Sequence, residues 1–345
     1  MKNHLTFIDM FAGIGGFRSG MEQAGHKCVG WIEWDKFARQ SYQAMYNTEG
    51  EFNGKDIQQV RGSDLPDSDV WCFGFPCQDV SVSGKQAGLL NGKRSGLFFE
   101  VVRLLQERIR NKETLPKTLF IENVKNLLSV DGGWGFARMQ IELDQAGYDI
   151  EWSVINSAEV VPQNRERIYI VGHLRGQSTR KVFPIIRQSG TTNQKQSVKI
   201  VHQVGNISKT DSFGGNPQVG RVYATDGLAP TLNTMQGGGR EPKILVRACL
   251  TPDRLNKRQQ GRRFKDNGEP SFTLNTVDRH GVLIENQKEW AIRKLTPREC
   301  WRLQGFTDEQ FDKAKDAGVS NSHLYKQAGN SVTVPVIKAI AEKFT

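Results

Sequence analysis

The chain has 345 residues, with 47 Lys and Arg against 37 Asp and Glu and a formal net charge of +10 at pH 7. That length exceeds one ordinary core, so two domains, or one domain enlarged by an insertion, are expected. Its five cysteines, Cys28, Cys72, Cys77, Cys249 and Cys300, are scattered without a Cys-x-x-Cys pair or a histidine cluster at metal spacing. This excludes a disulfide scaffold and a zinc module and fits a reducing cytoplasm. The opening MKNHLTFIDM runs straight into a strand pattern, and no window approaches the roughly eighteen apolar residues of a membrane span. A soluble cytosolic protein is the expectation.

The first 172 residues alternate strand-like and helix-like stretches. LTFIDM (residues 5–10) reads as a strand, followed by a helix after Gly16, the strand CVGWIEW (28–34) and a helix around Asp35 to Met45. Val70-Trp71-Cys72-Phe73 reads as a buried strand that must leave the sheet at Pro76, because proline cannot extend a central strand. LFFEVVRLLQERI (97–109) has helical spacing, TLFIEN (118–123) is strand-like, a helix follows near Phe136 to Ala146, and RIYIVGH (167–173) is the last strand. This rhythm predicts an α/β fold: a Rossmann-like, doubly wound, mostly parallel sheet with crossover helices.

After His173 the texture turns to Gly, Ser, Thr, Asn and Gln with basic residues, which points to a smaller, β-rich inserted unit. The charge is concentrated there. Residues 1–172 carry 19 basic against 22 acidic side chains, residues 173–270 carry 17 against 6, and residues 271–345 carry 11 against 9. A net +11 segment is either a solvated surface or a polyanion-binding face. A loose repeat lies within it: Arg221 stands ten residues before Thr231-Leu232-Asn233-Thr234, and Arg263 ten before the same phrase at Thr273 to Thr276. Two similar β-hairpin units are expected, with chance recurrence as the alternative. Helical sequence returns with TPRECWRLQGF (296–306) and SVTVPVIKAIAEKF (331–344).

Several residues could carry chemistry. In FAGIGGF, Gly13, Gly15 and Gly16 let the backbone approach a nucleotide-like ligand at a helix N-terminus, although a tight structural turn would explain them too. Glu33 ends the second strand, where a carboxylate can hydrogen-bond ribose hydroxyls, and Trp34 beside it can cover an adenine. Cys77 follows Pro76 onto a loop at the carboxyl end of a strand, where ligands bind in open α/β sheets; a thiolate there is a candidate nucleophile, a small buried residue the plainer reading. Glu122 and Asn123 reach the same edge from TLFIEN. Gln163, Arg165 and Arg167 precede the last strand, with the two arginines on one face by period-2 spacing.

Seven motifs, FIDMFAGIGGF, the EW pair at 33–34, GFPCQDVSVSGK, ENVKNLL, QNRERIYIVG, RKLTPRECWRLQGF and YKQAGNSVTVPV, occur in an order that resembles the bacterial-type DNA (cytosine-5)-methyltransferase family. The resemblance spans nearly the whole chain. One departure is Val80, where the family carries an aromatic residue; a change in loop packing is expected from it.

By that resemblance, Cys77 adds to carbon 6 of a flipped-out cytosine, Glu122 engages ring N3, Arg165 contacts the pyrimidine carbonyl and Arg167 braces Glu122. S-adenosylmethionine is the implied cofactor, with Phe11, Gly13, Gly15, Glu33, Trp34, Asp56, Ile57, Pro76, Leu97, Asn330 and Ser331 in its pocket and no metal. Ser83 and Gln218 are implied to fill the space the base leaves in double-stranded DNA. The resemblance also implies a discontinuous catalytic domain, residues 1–175 plus 290–345, interrupted by a basic target-recognition domain, residues 176–289. It implies a monomer away from membranes, acting alone or as the methylase of a restriction–modification system with a cognate restriction endonuclease as genetic partner. Three rivals remain: an RNA methyltransferase of the same chemistry, a DNA-binding regulator without catalysis and an NAD oxidoreductase. The last leaves the Pro-Cys loop and the basic segment unexplained.

Overall fold

A computed structural model describes residues 4–76, 96–185, 200–208, 217–224, 227–235, 240–250, 280–283 and 291–345. Cys77, Ser83, Val80 and the second repeat at Arg263 and Thr273 to Thr276 lie outside the described residues.

The larger sheet contains β1 (Thr6–Met10), β2 (Lys27–Ile32), β3 (Phe52–Gly54), β4 (Val70–Phe73), β5 (Thr118–Val124), β6 (Tyr148–Asn156) and β7 (Glu166–Leu174). Their spatial order is β3-β2-β1-β4-β5-β7-β6. The first five run parallel, whereas β7 is antiparallel to both β5 and β6. Helices α1 (Gly16–Gln23), α2 (Lys36–Met45), α3 (Leu97–Asn111) and α4 (Trp134–Gln145) make the crossovers. The central strands are buried on both faces, so each one splits by period 2 into two cores. Ile8, Met10, Trp71, Phe73, Leu119, Ile121, Ile168 and Ile170 face one cluster. Phe7, Val70, Cys72, Phe120, Tyr169 and Val171 face the other.

The chain then forms β8 (Gln203–Asn206), β9 (Arg221–Tyr223), β10 (Lys243–Leu250), β11 (His280–Leu283) and β12 (Ala291–Lys294), which make a second sheet. The expected hairpin does not form at the first repeat. Strand β9 runs parallel to β10 and antiparallel to β8. A parallel neighbour requires a crossover, so Thr231 to Thr234 lie on a connecting segment outside the ladder. Val182 and Phe183 are buried in the core of the larger sheet, and β12 extends the second sheet past residue 289 by pairing with β10.

Four helices follow: α5 (Pro297–Leu303), α6 (Asp308–Asp316), α7 (Asn321–Asn330) and α8 (Val334–Ala341). Of these, α8 packs its Val336, Ile337 and Ile340 into the core beside Phe17 and Met21 of α1. Gly20 permits the approach, since a Cβ there would lie 2.6 Å from Ile337. The last helix therefore returns beside the first strand, and Ser331 arrives next to the glycine loop. No helix among the described residues is long and apolar enough to cross a membrane.

One buried group makes a pH-dependent prediction. Asp9 on β1 is fully buried, and burial raises its pKa well above the carboxylate range despite the opposing charge of Arg18. A raised acid pKa means that the folded state keeps a proton the unfolded state releases, so this group's contribution to stability declines as pH rises above about 4. Asp9→Asn should remove that part of the decline in Tm measured between pH 5 and pH 9; parallel curves for the two proteins would contradict it.

Candidate active site

In a parallel sheet every carboxyl end lies on one edge, and at the β1/β4 switch in strand order the loops diverge to leave a crevice. The cavity found there is ≈ 660 Å³. Phe11 and Gly13 from the loop after β1, Glu33 and Trp34 after β2, Asp56 and Ile57 after β3, Pro76 after β4 and Leu97 at the start of α3 line it, as do Asn330 and Ser331. Gly15 does not reach the wall, although it was expected to. Its position next to Tyr46 explains this: the Tyr46 ring occupies the side where a Cβ would project.

Glu33 organises the loop region. One of its carboxylate oxygens accepts the Gly13 N–H at 2.7 Å and the other accepts the Asp35 N–H at 2.6 Å. Burial pushes its pKa up, against these hydrogen bonds. Trp34, 66% exposed, presents an open aromatic face beside it. Gly13 has φ +56 and nothing within 4 Å of the point a Cβ would take, so its backbone faces open space.

Glu122 comes to the same cavity from β5. The antiparallel register sets Tyr169 opposite Glu122 and Arg167 opposite Val124. Arg167 is therefore the diagonal neighbour of Glu122 on the same face of the sheet, within reach of a long side chain. Arg167 Nε lies 3.1 Å from Glu122 Oε1, with both side chains largely buried. Burial raises the Glu122 pKa, with the positive charges of Arg167 and Arg165 opposing. The Asn123 amide donates to Phe75 O at 3.1 Å and so fixes the chain leading into Pro76.

Arg165 is 3% exposed and lines the cavity. It donates to Leu232 O at 3.2 Å, Gly329 O at 3.2 Å and Ser331 O at 2.8 Å. The segment around the first repeat is thereby tied to the site. Asn164 N–H donates to Ala229 O at 2.8 Å and Ala229 N–H to Pro162 O at 2.9 Å, closing a short bridge beside Gln163. Gln218, by contrast, is exposed on a turn just before β9 and does not line the cavity.

Sequence reading missed Asp35, His323, Lys326 and Gln327, all on the cavity wall. Lys326 Nζ meets Asp35 Oδ2 at 2.7 Å, and Asp35 also caps α2. The signal was present, because Lys326 and Gln327 sit inside YKQAGNS and Asp35 follows the EW pair. Among the described residues no cluster of His, Cys, Asp and Glu could hold a metal ion.

An open α/β sheet that gathers a glycine loop, a strand-end carboxylate and a buried Glu–Arg pair around one cavity has the layout of an enzyme whose ligands bind at the carboxyl edge of the strands. The sequence profile of the C-5 cytosine-specific DNA methylase family matches residues 5–345, and the chain belongs to that family. It is 34% identical to the orphan methyltransferase M.SPBetaI of Bacillus phage SPbeta, over 98% of this chain and 97% of that protein. It is 32% identical to the type II methyltransferase M.HhaI of Haemophilus parahaemolyticus, over 98% and 93%. The fold is similar to the crystal structure of S. pombe Dnmt2 methyltransferase, with a TM-score of 0.64, 16% identity and 97% of both chains covered.

The Glu122–Arg167 pair makes a stability prediction. Arg167→Met leaves a buried carboxyl without its nearest cation and should lower unfolding free energy by about 2–4 kcal/mol, a little under the range for fully buried pairs. Adding Glu122→Gln should recover part of that loss in a urea-denaturation cycle. Strict additivity of the two substitutions would show that the pair is not coupled.

Proposed function

We propose that this enzyme methylates carbon 5 of cytosine in double-stranded DNA through a covalent adduct on Cys77, with S-adenosylmethionine as donor. The observation that carries the reading is the placement of Glu122, a buried carboxyl with raised proton affinity, on the cavity that also receives the glycine loop and Pro76, the residue before Cys77.

The residues present fit the cofactor. The open face of Gly13 and the carboxylate of Glu33 suit a ribose, the exposed Trp34 ring suits an adenine face, and Ile57, Pro76 and Leu97 supply apolar walls. When bound, S-adenosylmethionine supplies an electrophilic methyl group on a sulfonium centre. The protein must make carbon 5 nucleophilic. The Cys77 thiolate attacks carbon 6, and the ring electrons move toward carbon 5 as Glu122 shares its proton with N3. Arg165 stabilises charge at the pyrimidine carbonyl, while Arg167 holds Glu122 in register. After carbon 5 is methylated, loss of its proton returns the electron pair that expels the thiolate. Carbon 6 is inaccessible within a stacked duplex, so the target base must be flipped out.

The basic insertion is read as the DNA-recognition unit, with its +11 segment, residues 173–270, supplying phosphate contacts. Ser83 and Gln218 are assigned to the gap left by the base. The likeness to both orphan and type II methyltransferases is compatible with a solitary enzyme and with one paired to a restriction endonuclease.

Labelled S-adenosylmethionine offered with duplex DNA, with RNA and with no acceptor should label DNA alone, at cytosine carbon 5. Cys77→Ser should abolish transfer, and Glu122→Gln should lower kcat by about 10² or more, the scale of general acid catalysis. Label in RNA, or a Cys77→Ser protein with parental rate, would overturn the proposal.

A further inference from the structure

We propose that Tyr46, held in place by the buried cation of Arg18, is the positioning residue for the cofactor loop. The inference rests on reading the cavity as the S-adenosylmethionine site, but its structural basis lies behind the wall. Gly15 adopts φ +77, and a Cβ there would lie 2.5 Å from the Tyr46 ring. The ring fills the space that glycine leaves, and Tyr46 Oη donates to Gly15 O at 2.9 Å. The loop is thus held at two points, Gly13 by Glu33 in front and Gly15 by Tyr46 behind.

Tyr46 is itself fixed from the other side. The Arg18 guanidinium lies 4.6 Å from the Tyr46 ring centroid, a cation–π distance. Arg18 is 4% exposed. It grips both oxygens of Glu51 at 2.8 and 2.9 Å, Asn47 O at 3.0 Å and Glu22 at 2.8 Å. Glu51 immediately precedes β3, the strand that delivers Asp56 and Ile57 to the cavity. One buried cation therefore sets the distance between the glycine-loop wall and the Asp56 wall. Neither Arg18 nor Tyr46 lines the cavity, so their effect on a ligand must pass through the backbone they hold.

This arrangement predicts a selective defect. Titrated calorimetrically with S-adenosylhomocysteine in the absence of DNA, Tyr46→Phe should bind about fivefold more weakly, the scale of one neutral hydrogen bond. Arg18→Lys, which keeps the charge but loses the planar fork, should weaken binding by about tenfold. For Tyr46→Phe the KM for S-adenosylmethionine should rise in step, while kcat at saturating cofactor and the DNA dissociation constant stay within about twofold of the parent. Unchanged cofactor affinity in Tyr46→Phe, or a fall in kcat without a rise in KM, would overturn the proposal. Should Arg18→Lys fail to fold, Tyr46→Phe, which removes a single oxygen, decides alone. Binding by the parent protein in the same titration tests the cofactor reading separately.

Discussion

A carboxyl group buried at the end of a central strand is costly unless a cation compensates it. In this protein the compensation comes from strand register. Because β7 runs antiparallel to β5, its amino-terminal end falls at the carboxyl edge of the parallel strands, and Arg167 is set diagonally across from Glu122. A parallel β7 would have carried Arg165 and Arg167 to the opposite edge. The reversal of one strand thus keeps Glu122 largely buried and paired while burial leaves its pKa raised, the state that the proposed proton-sharing role requires.

The rest of the site is arranged around that edge by long-range ties. Arg165 donates to three backbone carbonyls of two distant segments, two at the end of α7 and one in the crossover between β9 and β10. The last helix docks on α1 through close contact at Gly20, and this carries Asn330 and Ser331 to the cavity although they lie more than three hundred residues from the glycine loop. The crossover after β9 is therefore shared structure: it leaves the second sheet and is pinned to the segment before β7.

Much of this was legible in the sequence, and the reason differs by element. Strands β1, β4, β5 and β7 are buried on both faces and read as continuous apolar runs, while α1 to α4 follow their spacing. Strand β6 escaped notice because, as an edge strand, it leaves Trp152 44% exposed and follows a helix with only a glycine turn between. Helix α6 went unread because it has few apolar residues, although Thr307 and Gln310 form a capping box at its start. Residues at strand ends were readable as site candidates because strand ends converge. Gly15 could not be told apart from Gly13, because a glycine-rich loop does not reveal which of its glycines faces the cavity and which faces a tyrosine thirty-one residues away. The path of Thr231 to Thr234 depends on partners at Asn164 and Arg165, so no local pattern encodes it.

The claim that joins the fold to the chemistry is that the β5–β7 edge receives the target base. A crystal structure of the complex formed from the enzyme, S-adenosylmethionine and a duplex carrying 5-fluorocytosine tests it most directly, because methyl transfer leaves S-adenosylhomocysteine and a carbon 5 that holds fluorine in place of the proton whose loss would release the adduct. The expected result is continuous density from Cys77 Sγ to carbon 6, with the Glu122 carboxyl at hydrogen-bond distance from N3 and the Glu122–Arg167 pair retained. A base stacked in the duplex with no bond to sulfur, or a base bound away from Glu122, would contradict it.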